Sequence, residues 1–421
     1  MPNHRREFLK MSGVATLAIA TPKQIIDMDF LNTTQAEPVA LEEATSLIGP
    51  YGPWANQPNA AKIPRLSFRN EQFKDIAQWR KIAKKQVLER MGYRRIEGIP
   101  KVKVVEKLNY EGLYIEKLTW QLPYGNPTEA ILLKPADAKG PLPAVLALHD
   151  HGGNKYFGTH KITKISNTQH PMMTLHQQHY YEGKAWANEL ARRGYVVLVS
   201  DSFTFGSRRV KLQEVPERQR NGLTDHDPDK QENIDQYNQW AANHEHIMAK
   251  SLFSAGTTWP AVFLAEDQKA LDILCARPDV IPNKVGCCGL SGGGLRSAYL
   301  GGLDERIQCA IPVGFMTTWA DFSLYKSFTH TWMTYIPILP NELDFPEILG
   351  LRTPLPTLVL NDKEDQLFTL TEMQKADRIL EQVYKKAHAS DRYRCTFHEG
   401  PHKFDLAMQQ EAFSWFDRWL K

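Results

Sequence analysis

Little in this chain points to disulfides, a membrane span, a metal or a polyanion. Its five cysteines, Cys275, Cys287, Cys288, Cys309 and Cys395, are odd in number and fall mostly in predicted helix or strand interiors, where a thiol serves as a small apolar filler. Cys287 and Cys288 adjoin, and neighbours on a strand point to opposite faces, so they are badly set for a bridge. The leading apolar stretch, Met11 to Ala20, contains Ser12, Gly13 and Thr16 and soon meets Pro22 and Lys23; a spanning helix needs about 20 apolar residues. It is too short to cross. The formal charge is only +3, and no run of Lys and Arg is interleaved with aromatics, so no nucleic acid or other polyanion is implied as a partner. No internal repeat is visible, which argues against a propeller. His149, His151, His160, His170, His176 and His179 fit no usual ligand spacing, and polar lining of a cleft mouth accounts for them better than a metal. Asp225-His226-Asp227-Pro228-Asp229 lacks the tight alternation of oxygen ligands that hard cations favour, so the polar stretch from Val215 to His246 reads as a solvated insertion. What remains, at 42% hydrophobic and 24% charged residues, is a chain able to bury one large core.

What is present is organised around one turn. Gly289-Leu290-Ser291-Gly292-Gly293 joins the apolar run Lys284-Val285-Gly286-Cys287-Cys288 to the helix-like Leu295-Arg296-Ser297-Ala298-Tyr299-Leu300. This is the form of a nucleophile elbow, a strand-to-helix turn so sharp that the flanking positions, here Gly289 and Gly293, must lack bulk. The serine stands at the positive N-terminal end of the helix that follows. An α/β-hydrolase then needs an acid and a histidine, in that order, on later loops. The buried-strand run Thr357-Leu358-Val359-Leu360 breaks at Asn361-Asp362-Lys363-Glu364-Asp365-Gln366-Leu367-Phe368, and Tyr393 to Phe397 alternates like a strand before His398-Glu399-Gly400-Pro401-His402-Lys403-Phe404. Asp362, Glu364 and Asp365 compete for the acid.

On these motifs, with Leu146-Ala147-Leu148-His149-Asp150-His151-Gly152-Gly153 and Arg193-Gly194-Tyr195-Val196-Val197-Leu198-Val199-Ser200-Asp201, the sequence resembles α/β-hydrolases of the dienelactone-hydrolase-like and acetyl-xylan-esterase-like group. The resemblance runs from about Glu71 to the C-terminus and names no substrate. It implies an α/β fold with a mostly parallel central sheet, helices on both faces, an N-terminal helical extension and a small cap insertion. In that group the acid is followed by an apolar pair, which favours Asp365, before Leu367-Phe368, over Glu364. The His149 loop implies an oxyanion hole made by the backbone amides of Gly292 and of His151, with Gly152 the neighbouring alternative.

Along the chain, Arg5-Arg6-Glu7-Phe8-Leu9-Lys10 has the form of a twin-arginine export signal. Residues 1–36 are therefore read as signal and leader, and the mature protein as periplasmic or extracellular with no stable membrane association. Residues 37–100 read as an N-terminal extension carrying a helix from Gln72 to Met91, whose apolar candidates are Phe73, Ile76, Ala77, Ile82, Val87 and Leu88. Residues 101–421 form the hydrolase domain. Its first strands are Val102–Val105, Leu113–Leu118 and Ala130–Leu133, the first two joined as a hairpin through Asn109–Gly112. Tyr181 to Arg193 reads as the first crossover helix, and Ile247 to Cys275 turns helical with a break at Trp259-Pro260. Asp201 precedes Ser291, the wrong order for the triad acid, and reads as a loop-holding acid partnered by Arg208 or Arg209. The aromatic segment at about 319–351 reads as the cap.

The expected reaction is ester hydrolysis through an acyl-enzyme. Ser291 attacks, His402 takes its proton, Asp365 orients the imidazole, and Gly292 and His151 hold the oxyanion. His149, Gly152, Phe203, Trp319 and Trp332 are the pocket candidates. No metal or cofactor is required, and the substrate class is a small-molecule or carbohydrate ester. A prolyl-oligopeptidase-like peptidase shares the elbow and the order, but such enzymes usually carry a large propeller; a catalytically silent binding protein is the other rival.

Overall fold

The computed structural model describes residues 46–57, 63–225 and 230–421. The stretch read as an export signal and residues 226–229 of the acidic cluster lie outside them. Residues Ser46–Lys421 form one compact unit.

Nine strands make one sheet: β1 Lys103–Tyr110, β2 Leu113–Trp120, β3 Thr128–Pro135, β4 Leu142–Ala147, β5 Val196–Ser200, β6 Val280–Leu290, β7 Ile307–Val313, β8 Thr357–Asp362 and β9 Tyr393–His398. Their spatial order is β1-β2-β3-β5-β4-β6-β7-β8-β9. β1, β2, β3 and β5 pair antiparallel, and every pair from β5 through β4 to β9 is parallel. The predicted hairpin is present: Glu111 and Gly112 both take positive φ, 45° and 78°, between the paired Tyr110 and Leu113. That two-residue turn matches the right-handed twist of the strands it joins.

Ten α-helices lie among the described residues: α1 Tyr51–Ala55, α2 Ile76–Met91, α3 Pro171–Tyr181, α4 Trp186–Arg192, α5 Gln231–Ser254, α6 Trp259–Cys275, α7 Gly292–Leu303, α8 Phe345–Gly350, α9 Leu370–Lys386 and α10 Leu406–Leu420. They cover both faces, because the inner strands are apolar on both sides. Ala144 and Leu146 of β4 join the core that holds Trp79, Leu271 and Leu349, whereas Val145 and Ala147 join the core that holds Trp186, Phe413 and Phe416. Strand period two divides each strand between the cores.

Three local readings are corrected. Helix α2 starts at Ile76, not Gln72, because Asp75 caps it by accepting from Ala77 N at 2.7 Å and Gln78 N at 2.9 Å. Its buried stripe is Trp79, Ala83, Val87 and Met91, while Ile82 is exposed. The predicted crossover helix is two helices, α3 and α4, separated where Glu182 and Gly183 both take positive φ. The stretch read as a solvated insertion contains most of α5, which buries Ile234, Tyr237, Trp240, His244 and Glu245. Its polar residues hid the stripe because several of them belong to the buried face.

The segment read as cap-like, 319–351, packs Trp319, Phe322, Met333, Leu339 and Phe345 into the first core. Its turns leave one stretch, Thr329–Thr334, facing the carboxyl ends of the strands.

Candidate active site

Ser291 follows the last residue of β6 and caps α7, with φ 58° and ψ −119°. A non-glycine residue held there is strained, and here the surroundings impose it. A Cβ on Gly289 or Gly293 would overlap the Leu148 carbonyl oxygen, and one on Gly294 would overlap that of Val313. Only bare backbone fits between β4, β6 and β7. Ser291 N donates to Val313 O at 2.9 Å, which fixes the turn to β7.

The loops after β8 and β9 meet beside it. Asp365 is buried, its Oδ2 lies 2.6 Å from His402 Nδ1, and its Oδ1 accepts from Leu367 N at 2.9 Å. The carboxylate cannot donate, so Nδ1 carries the proton and Nε2 is the free lone pair. That Nε2 is buried and has no hydrogen-bond partner among the described residues. Burial works against a charged His402, but the Asp365 carboxylate outweighs it, and the imidazole pKa stands above its ordinary value. Of the rival acids, Glu364 is exposed. Asp362 is buried and accepts from Lys403 N at 3.1 Å, and burial pushes its pKa up to about 8 despite the nearby His402. That shift disfavours the charged form a partner of the imidazole needs, and no hydrogen bond joins Asp362 to His402 among the described residues.

On the opposite side, Gly152 and Gly153 take successive positive φ of 50° and 65°, turning the chain that leaves β4. This brings the His151 backbone nitrogen to Gly292: a Cβ on Gly292 would sit 3.1 Å from it. Neither amide has an acceptor among the described residues. Two free N–H groups beside a helix N-terminus can hold a developing oxyanion. The His151 ring turns away. Its Nδ1 accepts from Gly153 N at 3.0 Å, so Nε2 carries the proton toward Glu245 Oε1 at 3.3 Å. Glu245 also binds the buried Lys155 ammonium. Burial opposes the Glu245 charge, but the bond from His151 and the Lys155 charge bring its pKa to about 2.

A pocket of about 240 Å³ opens between these groups. Ser291, His402, His151, Gly152 and Gly292 line it together with Tyr180, Leu295, Phe315, Thr329, His330, Thr331, Met333, Thr334 and Leu367. Burial lowers the His330 pKa to about 4, so that ring is neutral among Phe315, Phe322 and Phe368.

Four pocket candidates are not on this lining. His149 is 1% exposed, with Nδ1 donating to Asp150 O at 3.0 Å, and burial lowers its pKa strongly. Phe203 packs on Trp259. Trp319 is buried against Phe322 and Phe345, its indole N–H spent on Leu343 O at 3.1 Å. Trp332 is 40% exposed and its neighbours Thr331 and Met333 line the pocket in its place. Residue type singled out aromatics; the turn at Trp332–Thr334 decides which side chains face in. Asp201 does hold its loop, but through backbone amides, accepting from Thr159 N and Ser207 N at 2.7 Å each. Arg208 pairs instead with Glu266, and Arg209 lies over the Tyr156 ring. Among the described residues no group of three His, Cys, Asp or Glu side chains is set to hold a metal, and all five cysteines are free.

The fold has counterparts among known proteins. The model of the Abhydrolase family matches residues 58–218, the part that supplies the His151 loop but not Ser291. The chain is 25% identical over 307 residues to the provisionally named hydrolase YtaP of Bacillus subtilis (strain 168), covering 73% of this chain and 88% of that protein. Among solved structures, a provisionally assigned acetyl xylan esterase of Bacteroides fragilis NCTC 9343 superposes with TM-score 0.59 at 16% identity, covering 85% of this chain and 84% of that one. A glucuronoyl esterase of Solibacter usitatus gives 0.58 at 13%, covering 86% and 98%. This chain has the α/β-hydrolase fold. In that fold the loops after β4, β6, β8 and β9 share one end of the sheet, where Ser291, Asp365, His402 and His151 are found.

Proposed function

We propose that this α/β hydrolase is a serine esterase in which Ser291 is the nucleophile, His402 the general base and then acid, and Asp365 the group that orients the imidazole. One observation carries the reading: Asp365 holds Nδ1 of His402 at 2.6 Å while the unpartnered Nε2 of that ring borders the pocket that Ser291 also lines. Attack on an ester carbonyl passes the serine proton to Nε2, and the amides of Gly292 and His151 receive the oxyanion. The imidazolium then protonates the leaving alcohol, and water repeats the cycle on the acyl-enzyme.

The pocket's modest volume and its apolar wall of Leu295, Phe315, Met333 and Leu367 favour a short acyl group. Carbohydrate-esterase names among the structural neighbours support an acetylated or similarly esterified sugar as the alcohol side. The test is fluorophosphonate labelling at Ser291 with turnover on p-nitrophenyl acetate, p-nitrophenyl octanoate, acetylated xylan, a lactone and a prolyl amide. Labelling with acetate-ester turnover well above that of the octanoate is expected. No labelling, or turnover of the amide alone, would sink the proposal.

Export by the twin-arginine route is a further part of this proposal, resting on Arg5-Arg6 and the short apolar stretch after them. Changing both arginines to lysine is expected to retain the protein in the cytoplasm; unchanged recovery outside it would overturn the point.

A further inference from the structure

Lys161 has no solvent exposure, yet its ammonium reaches under the loop that carries His151. Nζ donates to the carbonyl oxygens of Asp150 at 2.9 Å and His151 at 2.7 Å. It stands 3.7 Å from the Asp150 carboxylate and 4.7 Å from the Phe205 ring centre. Burying an ammonium is costly, and tying down two carbonyls needs no charge. The placement gives the charge a use.

The Asp150 carbonyl and the His151 N–H are opposite ends of one peptide unit. A hydrogen bond accepted at the oxygen draws electron density from the nitrogen and makes the N–H a stronger donor, as in any polarised chain of hydrogen bonds. This carbonyl takes two such bonds. One comes from the Lys161 ammonium, a charge-assisted donor, and the other from His149 Nδ1 at 3.0 Å, which must carry its proton because a carbonyl oxygen only accepts. At the other end the His151 nitrogen faces Gly292 and has no acceptor among the described residues. Lys161 is itself fixed, since it closes the turn Thr159–Lys161, whose first N–H donates to Asp201 Oδ1 at 2.7 Å.

We propose that Lys161 is a positioning residue of the oxyanion hole: with His149 it holds and polarises the Asp150–His151 peptide, so that the His151 N–H binds the tetrahedral oxyanion more strongly than the ground-state carbonyl. The inference rests on the serine-esterase reading. It makes Lys161 act on kcat and on transition-state analogues, not on substrate affinity.

The test compares Lys161→Met, Lys161→Gln and Lys161→Arg with the parent on p-nitrophenyl acetate, with active sites counted by fluorophosphonate titration. The second readout is inhibition by a trifluoromethyl ketone, which forms a tetrahedral anion on the serine. Lys161→Met is expected to lose kcat by ten- to a hundredfold per titrated site, part of the roughly 10²–10³ that one oxyanion donor carries, with KM within threefold. The ketone should weaken by the same factor as kcat, Lys161→Arg should recover most of the loss, and Lys161→Gln should fall between. If Lys161→Met does not fold, Lys161→Gln is read by the same criteria. A kcat per site within threefold of the parent in both neutral variants, or a ketone that weakens no more than KM changes, would overturn the inference while leaving the esterase reading intact. A parent that turns over no ester overturns the reading and the inference together, and is told apart by that.

Discussion

The wall that carries Asp365 and His402 is built from short loops leaving neighbouring parallel strands, whereas the wall that carries His151 depends on buried charges, one of them, Glu245, supplied from far along the chain. In the first, backbone bonds join the two loops: Lys363 N donates to His398 O at 2.9 Å and Glu364 N to Gly400 O at 3.2 Å, so the acid and the histidine arrive in register. In the second, the His151 ring and Lys155 both lean on Glu245 of α5, and Lys161 supports the peptide itself. Strand register sets the first wall. Buried electrostatics sets the second, and a neutral, isosteric substitution is the way to tell them apart.

The largest effects are expected on the first wall. Ser291→Ala should lose about six powers of ten in kcat, and Asp365→Asn about 10⁴, because the imidazole is then held in the wrong tautomer. Glu364→Gln, at an exposed position, should cost less than tenfold. The pH profile carries the same argument. In the proposed mechanism His402 must be neutral to act as base, and Asp365 holds its pKa above 6.5. The parent's kcat/KM should therefore rise through a midpoint above that value, and residual activity in Asp365→Asn should rise through a lower one. A midpoint that does not move would detach Asp365 from the imidazole.

On the second wall, Glu245→Gln should cost stability more than chemistry. It strands the Lys155 ammonium, 2% exposed, and breaking one partner of a buried pair typically costs about 3–5 kcal/mol. His151 keeps a hydrogen-bond acceptor, so kcat per titrated site should stay within roughly tenfold, well short of the triad changes. The Glu245 pKa, about 2 in the folded protein, is depressed. Its contribution is complete above the ordinary carboxylate range and fades as pH falls toward 2. The difference in Tm between parent and Glu245→Gln should accordingly shrink between pH 5 and pH 2. A gap independent of pH would mean that the lost contact is not ionic.

This contrast also explains what could be read from the residues alone. The elbow, the acid loop and the histidine loop are local signals, each a strand followed by a turn whose residues are adjacent in sequence, and the latter two loops bring Asp365 and His402 within hydrogen-bond distance of each other. Glu245 gave no such signal. It sits in a polar helix whose buried face includes His244 and Glu245, and its partners lie 90 and 94 residues away. Lys161 gives none either, for a different reason: it binds two backbone carbonyls 10 and 11 residues away, and no side-chain pattern marks a carbonyl as its partner. Trp319 and Trp332 lie off the pocket lining because aromatic content marks a packed segment without saying which side of a short turn faces the pocket.

The smallest expected effect tests a residue that belongs to the first wall without sharing its chemistry. Asp362 lies at the end of β8, buried, with one carboxyl oxygen unpartnered, and burial raises its pKa from 3.8 to about 8. Between these values the folded protein keeps the proton and the unfolded chain releases it, so the folded state binds more protons and stability falls as pH rises. Below about pH 4 both states are protonated, and above about pH 8 both are ionised, so the slope vanishes at either end. Asn at this position cannot ionise. Any constant packing cost of the amide in Asp362→Asn cancels when two pH values are compared. Relative to the parent, its Tm should therefore gain by several degrees between pH 4 and pH 8, while kcat changes less than tenfold. An equal offset at both pH values would show that Asp362 is ionised in the folded protein. The carboxylate beside His402 would then be shared between two acids, and the separation of roles between Asp365 and Asp362 would fail.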